Sequence, residues 1–426
     1  MIVTRLEPDS HGDVDWPMLN GDRRSVLTVG VFDGMHRGHR AVIERLVERA
    51  RELGCLSVVV MFDPRPGAVH AYARRHNGED PGRGYVDGNL VTSVDQRLDV
   101  LREYGVDRVL IVRYTMAFST KSYVFFLGQM VGRLGMRQLV LGSDAVMGAN
   151  REGTVKSIAN VAASTGVFEL DVVDDRGPGH ARVPSDSVDP IWTPGGEPQD
   201  PTKGMTRAEL RAWSKRHQAR QVRVWSSTNI RYLLSQGRIG EANEILGYAH
   251  AVESTVIHGE QRGRTLGFPT ANLDSHAEGY MPADGVYAGW IVDLGPAATS
   301  GTDDAHGTDD AHGMADDRTV SETSADDAPH MDGVDGTDGS SPSPRRWPAA
   351  ISLGSKPTYS AVTGLHDRVL EVYAVTDEWI DLYDHRVRVE FLSYLRPQIR
   401  FGSSQDLIEE MRRNVRQTLD VTGSES

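Results

Sequence analysis

The sequence predicts an α/β domain built on a doubly wound parallel sheet, followed by a small antiparallel β-barrel that ends in a helix. Three observations carry this reading. Up to about residue 248, short and almost wholly apolar runs alternate with stretches of helical spacing, the pattern of strands buried on both faces and joined by crossover helices. From about residue 249 the helical spacing fades and β-like alternation takes over, as half-buried strands require. The length of 426 residues exceeds what one hydrophobic core ordinarily organises. Two domains, 1–248 and 249–426, are therefore expected.

Taken in order, strands at Ser25–Val31, Leu56–Phe62, Val109–Val112, Gln138–Leu141 and Phe168–Val173 are separated by helical segments at 39–53, 95–104, 121–134 and 156–165. The stretch 174–203, rich in Pro, Gly and Asp, reads as a long surface loop. Helical spacing returns at Met205–Gln218. A strand then enters a turn of hydroxyls and a helix that ends near Gly237, and a short helix, Ile239–Leu246, closes the domain. Barrel strands are expected at Ala251–His258, Gly285–Val292, Ala349–Leu353, Arg368–Val375 and Arg386–Leu395, with a final helix at Ser404–Leu419. The segment 297–346, with its near-repeat GTDDAHGTDDAHG, has almost no apolar residues. It cannot offset its ordering entropy by burial and reads as a disordered insertion in a hairpin loop.

Charge is unevenly spread. The insertion holds 12 acidic and 3 basic residues, so most of the net charge of −14 sits there. The acidity therefore says little about a site and argues against a nucleic-acid partner. No apolar run approaches the roughly 20 residues of a membrane span. The opening MIVTRLEPDSHGD lacks a basic-then-apolar leader. The single cysteine, Cys55, cannot form an internal disulfide. A cytoplasmic protein with no membrane partner is expected, and a homo-oligomer is compatible with all of this.

Residues 30–39, GVFDGMHRGH, stand where the first strand runs into a helix. His36 and His39 fall in the first turn or just before it, where unpaired N–H groups and the helix dipole favour an anion. Gly30, Gly34 and Gly38 let a bulky ligand approach the backbone. Further on, Ser226–Ser227–Thr228–Asn229–Ile230–Arg231 places hydroxyls and a forked cation at a helix start; hydroxyls there also serve as plain caps. Phe62–Asp63–Pro64–Arg65–Pro66 follows the second strand and also fits an ordinary proline turn. GRTLGFPTANL, Gly263 to Leu273, offers the Thr270 hydroxyl and the Asn272 carbonyl as hard oxygen ligands suited to Mg²⁺. Glu371 lies in a β-like run where an inward acid is unexpected as filler, although an outward-facing Glu on a barrel strand fits too.

Together these stretches resemble the bacterial bifunctional riboflavin kinase/FMN adenylyltransferases, whose first domain is of the HxGH nucleotidyltransferase type. The resemblance implies that Gly30, Phe32, Asp33, Gly34, His36, His39, Ser227, Thr228 and Arg231 bind ATP in the first domain, with His36 and His39 stabilising charge on the α-phosphate. It implies that Phe62, Pro64, Pro66 and Asp144 face the flavin there. In the barrel it implies phosphate contacts from Gly263, Gly267, Thr270 and Asn272, Mg²⁺ held by Thr270 and Asn272, flavin contact from Arg396, and Glu371 as general base. Riboflavin, FMN and ATP are the implied small-molecule partners, with FMN and FAD as products. Departures are Arg65 where the family commonly has His, the segment Gly142–Ser143–Asp144–Ala145–Val146–Met147–Gly148 without its usual aromatics, Lys356, and Gln398 where an acid is common. Two other readings stay open: a riboflavin kinase with a degenerate adenylyltransferase domain, and a non-catalytic flavin- or nucleotide-binding regulator.

Overall fold

The computed structural model describes residues 1–19, 21, 24–186, 188–193, 196–258, 268–297, 344–355 and 368–423. The acidic repeat segment, Gly263, Gly267 and Lys356 lie outside the described residues.

Six parallel strands form the first sheet: β1 (Ile2–Leu6), β2 (Ser25–Gly30), β3 (Leu56–Phe62), β4 (Arg108–Val112), β5 (Met136–Gly142) and β8 (Glu169–Val173), in the order β1-β4-β3-β2-β5-β8. A two-stranded hairpin of β6 (Val146–Met147) and β7 (Gly153–Thr154) hangs between β5 and β8. The strands are apolar on both faces because each face carries its own core. Leu27, Val58 and Val60 pack with Phe126 of α4 (Tyr123–Gly132) and Ile158 of α5 (Val155–Thr165) on one side. Val26, Val59 and Met61 pack with Ile43 and Leu46 of α1 (Arg37–Glu52) and Leu101 of α3 (Val94–Glu103) on the other. The strand order reverses at β2, and ligands of such sheets sit beyond the strands' carboxyl ends at that switch point.

The expected parallel sheet is present, with two additions. β1 escaped notice because an edge strand half open to solvent shows no continuous apolar run. α2 (Pro66–Arg75) begins directly at the proline turn, with Pro66 at its first position. The stretch expected as a loop, 174–203, is instead partly paired: β9 (His180–Val183) joins β12 (Arg220–Arg223), and β10 (Ile191–Thr193) joins β11 (Gly196–Gln199). The distant strand β12 and a local hairpin partner supply hydrogen bonds that its composition conceals. α6 (Arg207–Arg216) precedes β12, and α7 (Ser227–Ser235) and α8 (Ile239–Leu246) follow it.

The second unit is a closed antiparallel barrel of β13 (His250–Ile257), β14 (Ala271–Leu273), β15 (Gly285–Pro296), β16 (Arg346–Ser355), β17 (Arg368–Ala374) and β18 (His385–Arg396), running β13-β14-β17-β16-β15-β18. Gly289 is required where β15 crosses β18, since a Cβ there would meet the Glu390 carbonyl oxygen at 1.8 Å. The closing helix is α9 (Ser404–Gly423). Ile230, Leu233 and Leu234 of α7 and Ile245 and Leu246 of α8 belong to the same apolar cluster as Val252, Tyr287, Ile351 and Val389 of the barrel. The last two helices before the barrel therefore pack into the barrel's own core.

Candidate active sites

The HxGH stretch is built around one residue, Asp33. The carboxylate of Asp33 accepts from the backbone N–H groups of Val91 (2.8 Å) and Thr92 (3.3 Å) and pairs with the Arg231 guanidinium. Its carbonyl accepts from the Ser227 hydroxyl at 2.8 Å. The Arg231 Nε also donates to Asn89 O at 2.6 Å. Residues 33–39 and 227–231, nearly 200 positions apart, are thereby drawn to one place. Ser226 caps α7 by accepting from Asn229 N–H at 3.2 Å, so the cap function falls to Ser226 and the Ser227 hydroxyl ties the two segments. Thr228 follows in the first turn, half-buried.

His36 is the N-cap of α1, and its Nδ1 accepts from His39 N–H at 3.4 Å. That bond leaves the ring proton on Nε2 as a free donor. The two imidazoles stack with centroids 3.7 Å apart, and Phe32 meets the His39 ring edge-on at 5.4 Å. Burial holds the His36 pKa well below the usual histidine range, reinforced by His39. Burial and then the nearby Arg97 push that of His39 down to about 3. Both rings are therefore neutral at pH 7, donors rather than cations. Gly30 lies under the Phe32 ring, where a Cβ would stand 3.1 Å from it. Gly34 takes φ +82°, a conformation L side chains seldom adopt.

The flavin-side candidates separate. Phe62 packs edge-on to Tyr114 at 5.6 Å and near Phe118 and Phe126. Asp63 and Pro64 line a cavity of about 390 Å³ with Tyr85, Asp87, Arg113 and Glu278 of the barrel side. Pro66 starts α2, and Arg65 forks onto Asp87 at 2.6 and 2.8 Å. Asp144 stands elsewhere, in a groove of about 1100 Å³ along α5 and β8. It pairs with Arg223 (3.1 Å), whose strand leads into the 226–231 turn. Asp144 thus lies on the Arg223 side and is not among the residues lining the Pro64 cavity.

In the barrel, Asn272 of β14 is the direct partner of Glu371 of β17, and Glu371 is in turn opposite Ser352 of β16. Directly paired residues of antiparallel strands project on the same side. Thr270, two positions before Asn272, is half-buried, and Phe268 beside it meets Tyr373 edge-on at 5.3 Å. Among the described residues Glu371 makes no ion pair, which leaves a carboxylate at the Asn272 register. Arg396 turns the other way: its Nε contacts Asn414 Oδ1 (3.3 Å) and Glu410 Oε1 (3.2 Å) of α9. The Gln398 amide reaches the Ser352 hydroxyl (3.0 Å) and Leu353 O (3.1 Å), so this departure from the family stands beside the Glu371 register. Sequence reasoning missed Thr92, Arg97 and Tyr248 at the first site and Ser352 at the second. None stands in a motif, and only long-range contact marks them.

Among the described residues no helix is long and apolar enough to cross a membrane. An HxGH loop at the switch point of a parallel sheet, joined to a Thr/Asn/Glu-bearing barrel, defines a two-site nucleotide-dependent transferase. Residues 19–187 match the FAD synthetase family and residues 246–422 the riboflavin kinase family. A bifunctional riboflavin kinase/FMN adenylyltransferase of Listeria monocytogenes is 30% identical over 274 residues, covering 64% of this chain and 68% of the relative. Its counterpart in Escherichia coli K12 is 25% identical over 390 residues, covering 91% and 90%. A crystal structure described as a macrolide-efflux protein from Streptococcus pneumoniae shares the fold, with a TM-score of 0.62 over 98% of this chain and 99% of that one at 19% identity. The chain belongs to the bifunctional riboflavin kinase/FMN adenylyltransferase family. It carries both activities: ATP-dependent phosphorylation of riboflavin to FMN, and adenylyl transfer from ATP to FMN with release of pyrophosphate.

Proposed function

We propose that His36 and His39 face the ATP phosphates and that Glu371 is the base for riboflavin phosphorylation. In adenylyl transfer a phosphate oxygen of FMN attacks the α-phosphorus and the bond to the bridging α–β oxygen breaks. No protein nucleophile takes part, so the work of the chain is positioning and charge stabilisation. His36 Nε2–H donates to the oxygens on which charge builds, beside the N–H groups at the start of α1. Ser227, Thr228 and Arg231 hold the polyphosphate from α7. What supports this reading is the convergence of both segments on Asp33.

In the barrel the ribityl hydroxyl attacks the γ-phosphorus, its proton passes to Glu371, and ADP leaves. Thr270, just before β14, and Asn272 supply two neutral hard oxygens two positions apart, Asn272 opposite the Glu371 carboxylate. Such a donor set fits Mg²⁺, which keeps several waters and binds phosphates with few protein ligands. When bound there, Mg²⁺ neutralises charge on the nucleotide phosphates. Phe62, Pro64 and Pro66 flank the flavin of the first site, with Asp144 acting from the Arg223 side. Arg396 supports the flavin end of the barrel through α9. A cytoplasmic location follows from the dependence on ATP at both sites.

The test is incubation of the full chain with riboflavin, ATP and Mg²⁺ followed by chromatography of the flavins. FMN and FAD in sequence are expected. FMN without FAD would confine turnover to the barrel.

A further inference from the structure

The turn that presents His36 and His39 is held from outside the sheet domain's own core. Phe32, Gly34 and Met35 take φ values of +53°, +82° and +35°, a left-handed path that non-glycine residues rarely hold unaided. Gly34 at its centre is gripped on both sides. Its N–H donates to Thr92 Oγ1 at 2.9 Å, and its carbonyl accepts from the Tyr248 hydroxyl at 2.7 Å. Tyr248 belongs to the short link between α8 and β13, which opens the barrel. The Arg40 guanidinium lies over the Tyr248 ring at 4.8 Å, and Arg40 Nε donates to Met35 O at 3.0 Å. A second tie runs from Ser93, next to Thr92, to Glu253 of β13 at 3.4 Å, and Arg386 and Arg388 of β18 hold that carboxylate.

We propose that Tyr248 is a positioning residue for adenylyl transfer: its O–H bond to the Gly34 carbonyl fixes the turn from which His36 caps α1 and both imidazoles are aimed. The inference rests on His36 and His39 as the phosphate-facing pair. Tyr248 touches no substrate and acts only through the turn. Burial raises the phenol pKa, so the group remains a donor throughout the working range. The link that leads into the barrel is thereby part of the nucleotide site of the sheet domain.

The experiment uses the full-length chain and four variants: Tyr248→Phe, Thr92→Val, the double variant, and His36→Ala. Each preparation is assayed for FAD formation from FMN and ATP, and for FMN formation from riboflavin and ATP. Tyr248→Phe keeps the ring and its Arg40 contact and loses only the donor. It should lower kcat for adenylyl transfer about tenfold, the size of one buried hydrogen bond, with KM for FMN changed less than about twofold and riboflavin phosphorylation unchanged. The double variant should cost less than the product of the single effects, because both groups fix the backbone of one residue. Full adenylyl transfer in Tyr248→Phe, with His36→Ala inactive, overturns the positioning role alone. Full transfer in both variants overturns the assignment of the histidines as well. An equal fall of both activities in Tyr248→Phe means a general structural role and overturns the proposal.

Discussion

Asn272 and Glu371 stand directly across from each other in the antiparallel ladder between β14 and β17. The oxygen proposed as a Mg²⁺ ligand and the carboxylate proposed as the base are thus set side by side by strand pairing, which fixes their separation more rigidly than a loop would.

Replacing Glu371 with Gln removes the proposed base and leaves the strand intact. FMN formation should fall by about a hundredfold or more, the usual size of a general-base contribution. FAD formation from added FMN should continue at the parental rate. Flavin chromatography of the two half-reactions reads both outcomes.

Asn272→Ala deletes one oxygen donor. The Mg²⁺ concentration for half-maximal riboflavin phosphorylation should rise severalfold, and that for adenylyl transfer should stay where it was. Rates across a Mg²⁺ titration decide it, and an unchanged kinase midpoint would exclude Asn272 as a ligand.

At the other site, His39→Asn should abolish FAD production and spare FMN production. An effect of at least about a hundredfold is expected if His39 faces the reacting phosphate as proposed.

The buried histidines also set an acid limit. The His39 pKa in the folded chain is about 3, against about 6.5 when unfolded. The unfolded state therefore binds the proton first, and stability is lost as pH falls below about 6.5, down to about 3. His36 and His250, the latter held at about 4, add in the same direction. Thermal melting of the parent should drop between pH 6.5 and 4.5, and His39→Gln should recover part of the drop, on the order of 2 kcal/mol. Equal acid sensitivity in parent and variant would contradict it.

The ladder of β15 and β16 still closes at Asp293 N–H to Arg345 O, 2.9 Å. A chain in which 298–343 is replaced by a short Gly/Ser turn should keep its riboflavin kinase rate within about twofold, read by the same chromatography. Loss of turnover would give the acidic segment a role in the barrel site.

Much of the fold was legible because burial leaves a periodic trace. Val58–Met61 are apolar on both faces because helices cover both, and Arg386–Leu395 alternate because one face is the barrel core. The edge strand Ile2–Leu6 and β9 left no such trace, since their partners lie far along the chain, and the β10–β11 hairpin is too short to show a period. At the sites, HxGH, the hydroxyl–arginine run and the Thr/Asn pair could be read as strings. That Arg396 turns to α9 and Asp144 to Arg223 could not.

By itself the sequence determined the two folds, their order and the residue types able to bind polyphosphate, because hydrophobic periodicity and short motifs are local in the chain. Only the tertiary structure decided that α7 and α8 share the barrel's apolar core and that Asp33 gathers Ser227 and Arg231. It alone put the Tyr248 hydroxyl on the turn before the histidines. Such contacts join positions up to 214 residues apart, and their hydrogen bonds exist only once packing has brought the partners together and excluded water.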